Sequence, residues 1–311
     1  MKTTNKNLKH LLTGEELSSH EAQALLEHGL HLKKIRHMGK TNELSNCHLA
    51  MLFDKQSLRT RFSFAVGMNE LGGDAYESIS CTRKAELPED QARVLSGYCQ
   101  AIMIRTHLDS TLERMSQASS VPIINGLSNL HHPCQILADL MTLLEVFGDL
   151  KGLTLTYIGD GNNILHSLLL LSPQLGVNIH YCCPETREPD ADILAKSLEK
   201  LGPNTGTIKS FKTPAEAVKN ANAIYTDVWT SMGFEAQSAE HLFQGFQVNE
   251  TLMQQAAPNA VFMHCLPMER GKEVSETLPD QPCSVIFTQS ENRLHIQKAV
   301  LLHLIKENNH V

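Results

Sequence analysis

The sequence has no excess of basic charge, since 27 lysines and arginines stand against 34 aspartates and glutamates, a formal net charge of −7. This balance argues against nucleic acid or an anionic membrane as a partner, because both are bound through positive surface. The chain also has no apolar run long enough to cross a bilayer. Near its start it lacks the apolar core of a secretory signal and the arginine-rich character of a transit peptide. These absences predict a soluble, cytoplasmic protein that binds neither nucleic acid nor membrane.

Cysteine pairs at a redox or metal-binding spacing are also absent. The eight cysteines are scattered, no CxxC occurs, and only Cys182 and Cys183 are adjacent. A chain of 311 residues is large enough to fold without disulfides, so we expect thiols in a reducing compartment. The sequence has no low-complexity stretch and no short-period repeat. Its length favours two domains, and its composition is that of an ordinary globular protein.

What the chain does have is an alternation of short apolar strands with helices. In the first half, we predict strands at 47–53, 74–79, 101–105 and 121–125 and helices at 20–35, 62–71, 88–99, 110–119 and 133–147. In the second half, we predict strands at 153–158, 177–181, 207–211, 223–226 and 260–264 and helices at 164–173, 190–201, 214–219 and 297–306.

This alternation favours parallel sheets with helices on both faces. We therefore expect an α/β fold of two similar-sized domains, each a parallel sheet flanked by helices, at 1–145 and 146–291. A C-terminal helix at about 292–311 is expected to pack back on the first domain. Ligands of such sheets collect at the carboxyl ends of the strands, where Phe53, Arg105 and Asn125 stand.

The segment SLRTR, residues 57–61, brings two hydroxyls and two guanidiniums to the start of a predicted helix. The first N–H groups of a helix lack intrahelical partners, and the helix dipole favours an anion there. Arginine adds a planar fork that can hold phosphate bidentately. The ordinary alternative is a capped helix start with solvent-exposed charges. In an acidic protein a phosphate site is a local positive pocket, which suits a small anion better than a polymer.

The segment GDGNNI, residues 159–164, follows a strand and opens a helix, as a dinucleotide-binding turn does. Ile164 stands where that fingerprint needs a small residue, which argues against NAD. Asn162 and Asn163 offer neutral donors and acceptors at the strand end, or are simple turn residues.

Three further segments place polar groups at loop positions. In HHPCQ, residues 131–135, the histidines have no further ligands at the spacing of a metal site, so we expect no metal.

In HCLP, residues 264–267, cysteine beside histidine is typical of a nucleophile. Neighbours on a strand point to opposite faces, however, and the alternative is a buried thiol. Leu266–Pro267 is a candidate cis bond. The loop DVWTSMG, residues 227–233, is a weak signal by itself.

SLRTR, HHPCQ, GDGNN, DVWTSMG, HCLP and ENR occur together and in this order. Over essentially its whole length the chain resembles the aspartate/ornithine carbamoyltransferase family. Aspartate-specific members share the phosphate motif and HPxQ but lack SMG and HCLP, so the chain is similar to the ornithine-specific members. The resemblance implies transfer of the carbamoyl group of carbamoyl phosphate to the side-chain amine of L-ornithine, giving L-citrulline and phosphate, in arginine metabolism. It implies no metal or organic cofactor, and a homotrimer or a multiple of trimers.

The resemblance also assigns residues to each substrate, with the first domain binding carbamoyl phosphate and the second binding ornithine. Carbamoyl phosphate would be bound by Ser57, Leu58, Arg59, Thr60, Arg105, His132, Gln135, Cys265, Leu266 and Arg293. Ornithine would be bound by Asn163, Asp227, Ser231 and Met232. Of these, Arg105, His132 and Cys265 would be catalytic.

The chain departs from the family at two places. Relatives usually have threonine at the position of Leu58, which leucine can replace if the position contributes only its backbone N–H. In the segment SCTRKAE, residues 80–86, relatives tend to carry a glycine near Arg83, and there the loop reaches a neighbouring subunit's site.

Other functions stay open at this point. In one alternative, the acceptor is another amine, such as putrescine or an N-acylated ornithine. Asp227 and the SMG segment, however, favour an acceptor with a free amino-acid head group. In a second alternative the chain is a non-catalytic carbamoyl phosphate-binding protein, against which the complete set of phosphate-site residues argues. A nucleotide-dependent oxidoreductase is a distant third, because Ile164 breaks the glycine fingerprint.

Overall fold

A computed structural model describes residues 9–79, 86–229 and 240–308 of the chain. The backbone divides into two compact units, the first made of Met1–Met141 with Asn292–Val311 and the second of Thr142–Glu291. Each unit is built on one parallel sheet, with four strands in the first and five in the second. The expected α/β class is confirmed, as is the association of the C-terminal helix with the first unit.

The first unit begins with a helix whose start was readable from the sequence. Ser18 accepts from the backbone of Glu21, and the Glu21 carboxylate returns the bond to the Ser18 backbone, a complete capping box. The elements in order are α1 (Ser19–Lys34), β1 (His48–Phe53), α2 (Arg59–Glu70), β2 (Asp74–Ile79), α3 (Pro88–Ser96), β3 (Ala101–Arg105), α4 (Asp109–Ala118) and β4 (Ile123–Leu127). Two more helices, α5 (Pro133–Phe147) and α10 (Ile286–Asn308), contribute residues to both units.

The strand order of the first sheet, β2-β1-β3-β4, places its switch point between β1 and β3. The chain leaves β1 toward β2 on one side and then returns to build β3 and β4 on the other. Phe53, the last residue of β1, is in register with Arg105, the last residue of β3. The 54–58 loop and Arg105 therefore leave from neighbouring strand ends, the position at which open α/β sheets bind ligands.

A buried apolar cluster joins this sheet to α3 and α4. Strand β3 is buried along its whole length, as expected for a parallel strand covered on both faces. The members of the cluster are Ala50, Ala92, Cys99, Ile102, Ile104, Leu112, Met115 and Ile123. Because this core fixes β1 and β3 side by side, it also fixes the positions from which the site residues project.

The second unit repeats the plan of the first. Its elements in order are β5 (Thr154–Ile158), α6 (Asn163–Leu171), β6 (Asn178–Cys182), α7 (Ala191–Glu199), β7 (Ile208–Ser210), α8 (Pro214–Ala217), β8 (Ala223–Thr226), α9 (Glu250–Met253) and β9 (Val261–His264). The strand order β7-β6-β5-β8-β9 puts the switch point between β5 and β8. The segments that follow β5, β8 and β9 leave from adjacent strand ends, because Ile158 is in register with Thr226 and Thr226 with His264.

The last helix is longer than the sequence predicted. We expected it near 297–306, whereas α10 begins at Ile286 and runs for 23 residues. Its middle carries polar side chains that are fully or almost fully buried, among them Asn292, Arg293 and His295. These buried polar residues hide the apolar periodicity by which a helix is recognised. Within the described ranges, neither this helix nor any other combines the length and apolar character of a membrane span.

Candidate active site

The first unit brings the SLRTR segment and Arg105 into contact. Ser57 lies in the loop after β1, and Arg105 Nη1 donates to Ser57 Oγ over 3.3 Å. Arg105 is buried although it carries a charge. A buried guanidinium beside a hydroxyl at a sheet switch point is an arrangement that can bind an anion.

A second arginine of the first unit is held by side chains from two other helices, α2 and α5. Arg293, on α10, is only 2% exposed. Its Nη1 donates to Gln135 Oε1 over 2.5 Å, and its Nη2 donates to Thr60 Oγ1 over 3.0 Å. Gln135 in turn donates through Nε2 to the buried carboxylate of Asp139, over 2.8 Å. This series of hydrogen bonds fixes which end of the Gln135 amide faces the guanidinium.

His132 lies among these cations and is itself buried. Burial holds the pKa of His132 well below its usual value, and the positive charges of Arg293, Arg105 and Arg59 lower it further. The imidazole is therefore neutral at physiological pH, with one nitrogen as donor and the other as acceptor. We call Arg59, Thr60, Arg105, His132, Gln135 and Arg293 the arginine cluster.

Helix α2 starts at the edge of this cluster without a side-chain cap. Its N-cap residue is Leu58, whose side chain has no acceptor atom to offer to the first N–H groups. That side chain is 69% exposed, while the Leu58 carbonyl accepts from the Phe62 N–H over 3.0 Å. Leucine here leaves the helix terminus open to an external anion.

In the second unit, Asp227 occupies the corresponding strand end, directly after β8. Its carboxylate is buried and accepts three hydrogen bonds. Oδ1 accepts from the Val228 N–H over 2.8 Å and from the Cys265 thiol over 3.0 Å. Oδ2 accepts from Asn162 Nδ2 over 2.8 Å. Both oxygens are thus oriented by neutral donors before any ligand binds.

Asn162 was only one of two turn asparagines in the sequence, and the structure separates their roles. Asn162 caps α6, with Oδ1 accepting from the N–H groups of Ile164 and Leu165. Asn163, the residue that the resemblance assigns to ornithine, is the first residue of α6 and is half-buried. No local signal singles out Asn162, because both asparagines suit a helix cap and the helix predicted at 164–173 would have made Asn163 the N-cap residue.

The turn that carries these asparagines is close to the 187–188 backbone. A Cβ on Gly161 would lie 2.4 Å from the Glu188 carbonyl carbon, so only glycine fits. Burial raises the pKa of the neighbouring Asp160 to about 6, against the opposing charge of Arg187, and the Asp227 carboxylate raises it further. Buried carboxylates in one place favour a cationic ligand. We call Asp160, Asn162, Asp227 and Cys265 the carboxylate cluster.

The HCLP turn does not contain a cysteine–histidine pair. His264 Nδ1 accepts from the Leu266 N–H over 2.9 Å, so the ring proton is on Nε2, which lies 3.2 Å from Glu273 Oε1. His264 is thereby committed to its own turn, and the Cys265 thiol lies against Asp227 instead. The Leu266–Pro267 bond is cis, which confirms that prediction.

Asp227, His264 and Cys265 offer ligand atoms within 4.8 Å of one another, a grouping that can in principle hold a metal. Both His264 nitrogens, however, already face the Leu266 N–H and Glu273. A carboxylate and a thiol remain, fewer than the three protein ligands of an ordinary zinc site. Ser231, Met232 and residues 80–85 lie outside the described ranges.

Family models match the chain in two consecutive parts. The model described as aspartate/ornithine carbamoyltransferase, carbamoyl-P binding domain, matches residues 9–145. The model described as aspartate/ornithine carbamoyltransferase, Asp/Orn binding domain, matches residues 151–304. The arginine cluster includes Arg293, which lies in the second match by sequence and in the first unit by structure.

Whole proteins match over nearly the full chain. An ornithine carbamoyltransferase of Archaeoglobus fulgidus is 42% identical, over 98% of this chain and 100% of that protein. One of Anoxybacillus flavithermus is 44% identical over 96% of each. The solved ornithine carbamoyltransferase of Pyrococcus furiosus has a TM-score of 0.87 at 42% identity, covering 94% of this chain and 96% of that one. With both family models and full-length relatives in agreement, the chain belongs to the aspartate/ornithine carbamoyltransferase family.

Proposed function

We propose that the protein is an ornithine carbamoyltransferase, which transfers the carbamoyl group of carbamoyl phosphate to the δ-amine of L-ornithine and releases L-citrulline and phosphate. The observation that carries the proposal is the pair of oppositely charged clusters, each at the switch point of one sheet. One matches a dianionic donor and the other a cationic amino-acid head group. The relatives named above, which are ornithine carbamoyltransferases, support the same activity.

The arginine cluster binds carbamoyl phosphate in this proposal. The phosphate group accepts from Ser57 and the backbone at the start of α2, Arg59 and Arg105 supply charge, and the Thr60 hydroxyl is directed at the carbonyl oxygen. Arg293 keeps Thr60 and Gln135 in place through its two hydrogen bonds. Leu58 contributes its backbone N–H, in keeping with its exposed side chain.

The carboxylate cluster binds ornithine. Asp227 pairs with the α-ammonium, Asn163 bonds the α-carboxylate, and Ser231 and Met232 complete the set from outside the described ranges. Putrescine lacks the α-carboxylate that Asn163 would bond. An N-acylated ornithine lacks the α-ammonium that a buried carboxylate requires, and would leave Asp227 without its cation.

In this proposal the reaction is a direct transfer between the two substrates. The neutral δ-amine attacks the carbonyl carbon of carbamoyl phosphate, a C–N bond forms, and the resulting oxyanion accepts hydrogen bonds from Arg105, His132 and Thr60. The C–O bond to phosphate then breaks, and the leaving phosphate takes the proton of the amine. Cys265 and Leu266 lie beside the reacting carbon in this scheme. Positioning alone can supply about 7–11 kcal/mol of the barrier reduction in well-aligned reactions, and no cofactor takes part.

The proposal includes a homotrimer, or a multiple of trimers, in the cytoplasm. The first unit exposes large apolar side chains, with Phe62 at 60%, Tyr76 at 58% and Tyr98 at 69%, and the last two help to line a cavity of about 340 Å³. Exposed apolar surface of this kind marks a protein interface. The seven cysteines among the described residues are free thiols, which suits a reducing compartment. Light scattering of the purified protein tests the assembly.

The first experiment is citrulline formation from carbamoyl phosphate with ornithine, putrescine, N-acetylornithine and aspartate compared as acceptors. We expect turnover with ornithine alone. Turnover with another amine would keep the carbamoyl phosphate site and overturn the acceptor assignment. Folded protein that binds carbamoyl phosphate but carbamoylates no acceptor would be a binding protein rather than an enzyme.

A further inference from the structure

We propose that Asn162 is a positioning residue for ornithine: as the N-cap of α6 it fixes the Asp227 carboxylate in the orientation that receives the α-ammonium. This inference rests on the proposed function and adds a residue to it, since the resemblance assigns only Asn163. Asn162 does not bind the substrate itself. It acts through Asp227, with which it shares a hydrogen bond of 2.8 Å between side chains 65 residues apart in sequence.

The helix decides which way the Asn162 amide points. Oδ1 accepts from the Ile164 N–H over 3.0 Å and from the Leu165 N–H over 3.4 Å. An amide rotated by half a turn would put its NH₂ group against these two donors, which is unfavourable. The cap therefore leaves only Nδ2 to face Asp227, and the polarity of the amide is set by the backbone of α6.

A buried tyrosine supports the same orientation. The Tyr157 hydroxyl lies 2.9 Å from the Asp160 carbonyl oxygen and 3.3 Å from Asn162 Oδ1. Burial raises the pKa of Tyr157 well above its usual value, and the charge of Asp227 raises it further, so the hydroxyl keeps its proton. The single proton of the hydroxyl is directed mainly at the Asp160 carbonyl and secondarily at Asn162 Oδ1, which is compatible with Oδ1 on this side of the amide.

As a consequence, the two carboxylate oxygens of Asp227 accept hydrogen bonds from different donors. The Val228 N–H and the Cys265 thiol approach Oδ1, and Asn162 is the described donor to Oδ2. Three neutral donors stabilise the charged form without supplying a cation. The carboxylate is thus oriented in advance, which lowers the entropic cost of binding the ammonium.

The variant Asn162→Asp separates this role from capping. Aspartate caps a helix as well as asparagine does and suits the helix dipole, so α6 is expected to keep its cap, while the second carboxylate beside Asp227 lowers the thermal stability. The donor to Asp227, however, is replaced by a carboxylate. We expect the KM for ornithine to rise roughly tenfold or more, the effect of losing one hydrogen bond to a charged group, with the KM for carbamoyl phosphate within about twofold.

Two further variants complete the test. Asn162→Ser keeps a capping oxygen but is too short to reach Asp227 and adds no charge, so the ornithine KM is expected to rise less than in Asn162→Asp. Asn249→Asp is the matched control, because Asn249 caps α9 through the Leu252 N–H over 3.0 Å in the same way. We expect the kinetics of this control to equal those of wild type.

If wild-type protein does not carbamoylate ornithine, the proposed function fails, whatever the variants do. If wild type is active and folded Asn162→Asp keeps its ornithine KM, Asn162 is only a cap and the inference is wrong. If Asn162→Asp unfolds or loses turnover, calorimetric titration of Asn162→Ser with ornithine and, separately, with inorganic phosphate decides. Weaker binding of ornithine with unchanged binding of phosphate supports the inference. Binding of both ligands that is equally weakened, or not weakened at all, overturns it.

Discussion

Helices α2 and α6 each follow the first strand of the switch point in their sheet. They differ in whether a side chain caps the N–H groups of the first turn. Helix α2 begins after Leu58, which offers no capping acceptor, so its terminal N–H groups face whatever anion enters. Helix α6 begins after Asn162, whose carbonyl oxygen satisfies those groups and whose NH₂ group turns to a protein carboxylate. The N-cap residue therefore differs between two equivalent topological positions, which in the proposed function are an anion site and a cation site.

The buried charges of the two units are stabilised in a similar manner. Arg293 donates to a hydroxyl and an amide, and Asp227 accepts from an amide, a backbone N–H and a thiol. Neutral partners reduce the cost of burying a charge but do not cancel its field. In the proposed function, the field of the Asp227 carboxylate is therefore available to the cationic end of the substrate.

The largest effect is expected from removing a positive charge at the start of α2, the helix without a side-chain cap. Arg59→Ala is expected to lower kcat/KM for carbamoyl phosphate by about 10²–10³-fold, the usual cost of losing a donor aimed at developing charge. Steady-state kinetics at saturating ornithine measure it. The control is Arg114→Ala, which removes an exposed arginine paired with Glu89 and is expected to stay at wild-type activity. Near-normal turnover of Arg59→Ala would contradict the phosphate site.

The matching change in the second unit is Asp227→Asn, which removes the charge and keeps the shape. We expect ornithine binding to weaken roughly 10–150-fold, the range for losing a hydrogen bond between charged groups, while phosphate binding is unchanged. Calorimetric titration with each ligand separates the two effects. Equal loss of both ligands would show that the two clusters do not divide the substrates as proposed.

The two units should also differ in how acid affects them. Burial lowers the pKa of His10 to about 4, and its Nδ1 accepts from the Ile123 N–H over 3.0 Å. Since the folded pKa is below the unfolded value, stability falls as the pH drops from about 6.5 toward 4. We expect His10→Asn to remove on the order of 1–2 kcal/mol of the acid-induced loss between pH 7 and 5. Chemical unfolding at both pH values compares the variant with wild type.

Asp160 in the second unit predicts a smaller effect of opposite sign. Its folded pKa of about 6 is raised above the unfolded value of 3.8, so the folded state holds the extra proton and stability falls as the pH rises through this window. Asp160→Asn should therefore flatten the decline between pH 4 and 6, by about 1 kcal/mol or less after solvent screening. A variant whose pH profile equals that of wild type would show that Asp160 does not titrate there.

Prediction from sequence succeeded where the determinant was local. The helix predicted at 20–35 and the strand predicted at 101–105, which the structure has as α1 and β3, depend on neighbours a few positions apart. It failed for the start of α10, whose buried polar residues do not show an apolar period. It also could not choose between Asn162 and Asn163, because both fit a turn.

The sequence by itself determined the α/β class, the alternation of elements and the family, because strand and helix periods and short motifs are properties of the local chain. The tertiary structure alone decided that the guanidinium of Arg293 reaches Thr60, 233 residues away, and that the amide of Asn162 faces Asp227. It also decided that His264 bonds the Leu266 N–H rather than the thiol beside it. The physical reason is that a hydrogen bond requires atoms within about 3 Å in a fixed direction. That placement is set by strand order, register and core packing.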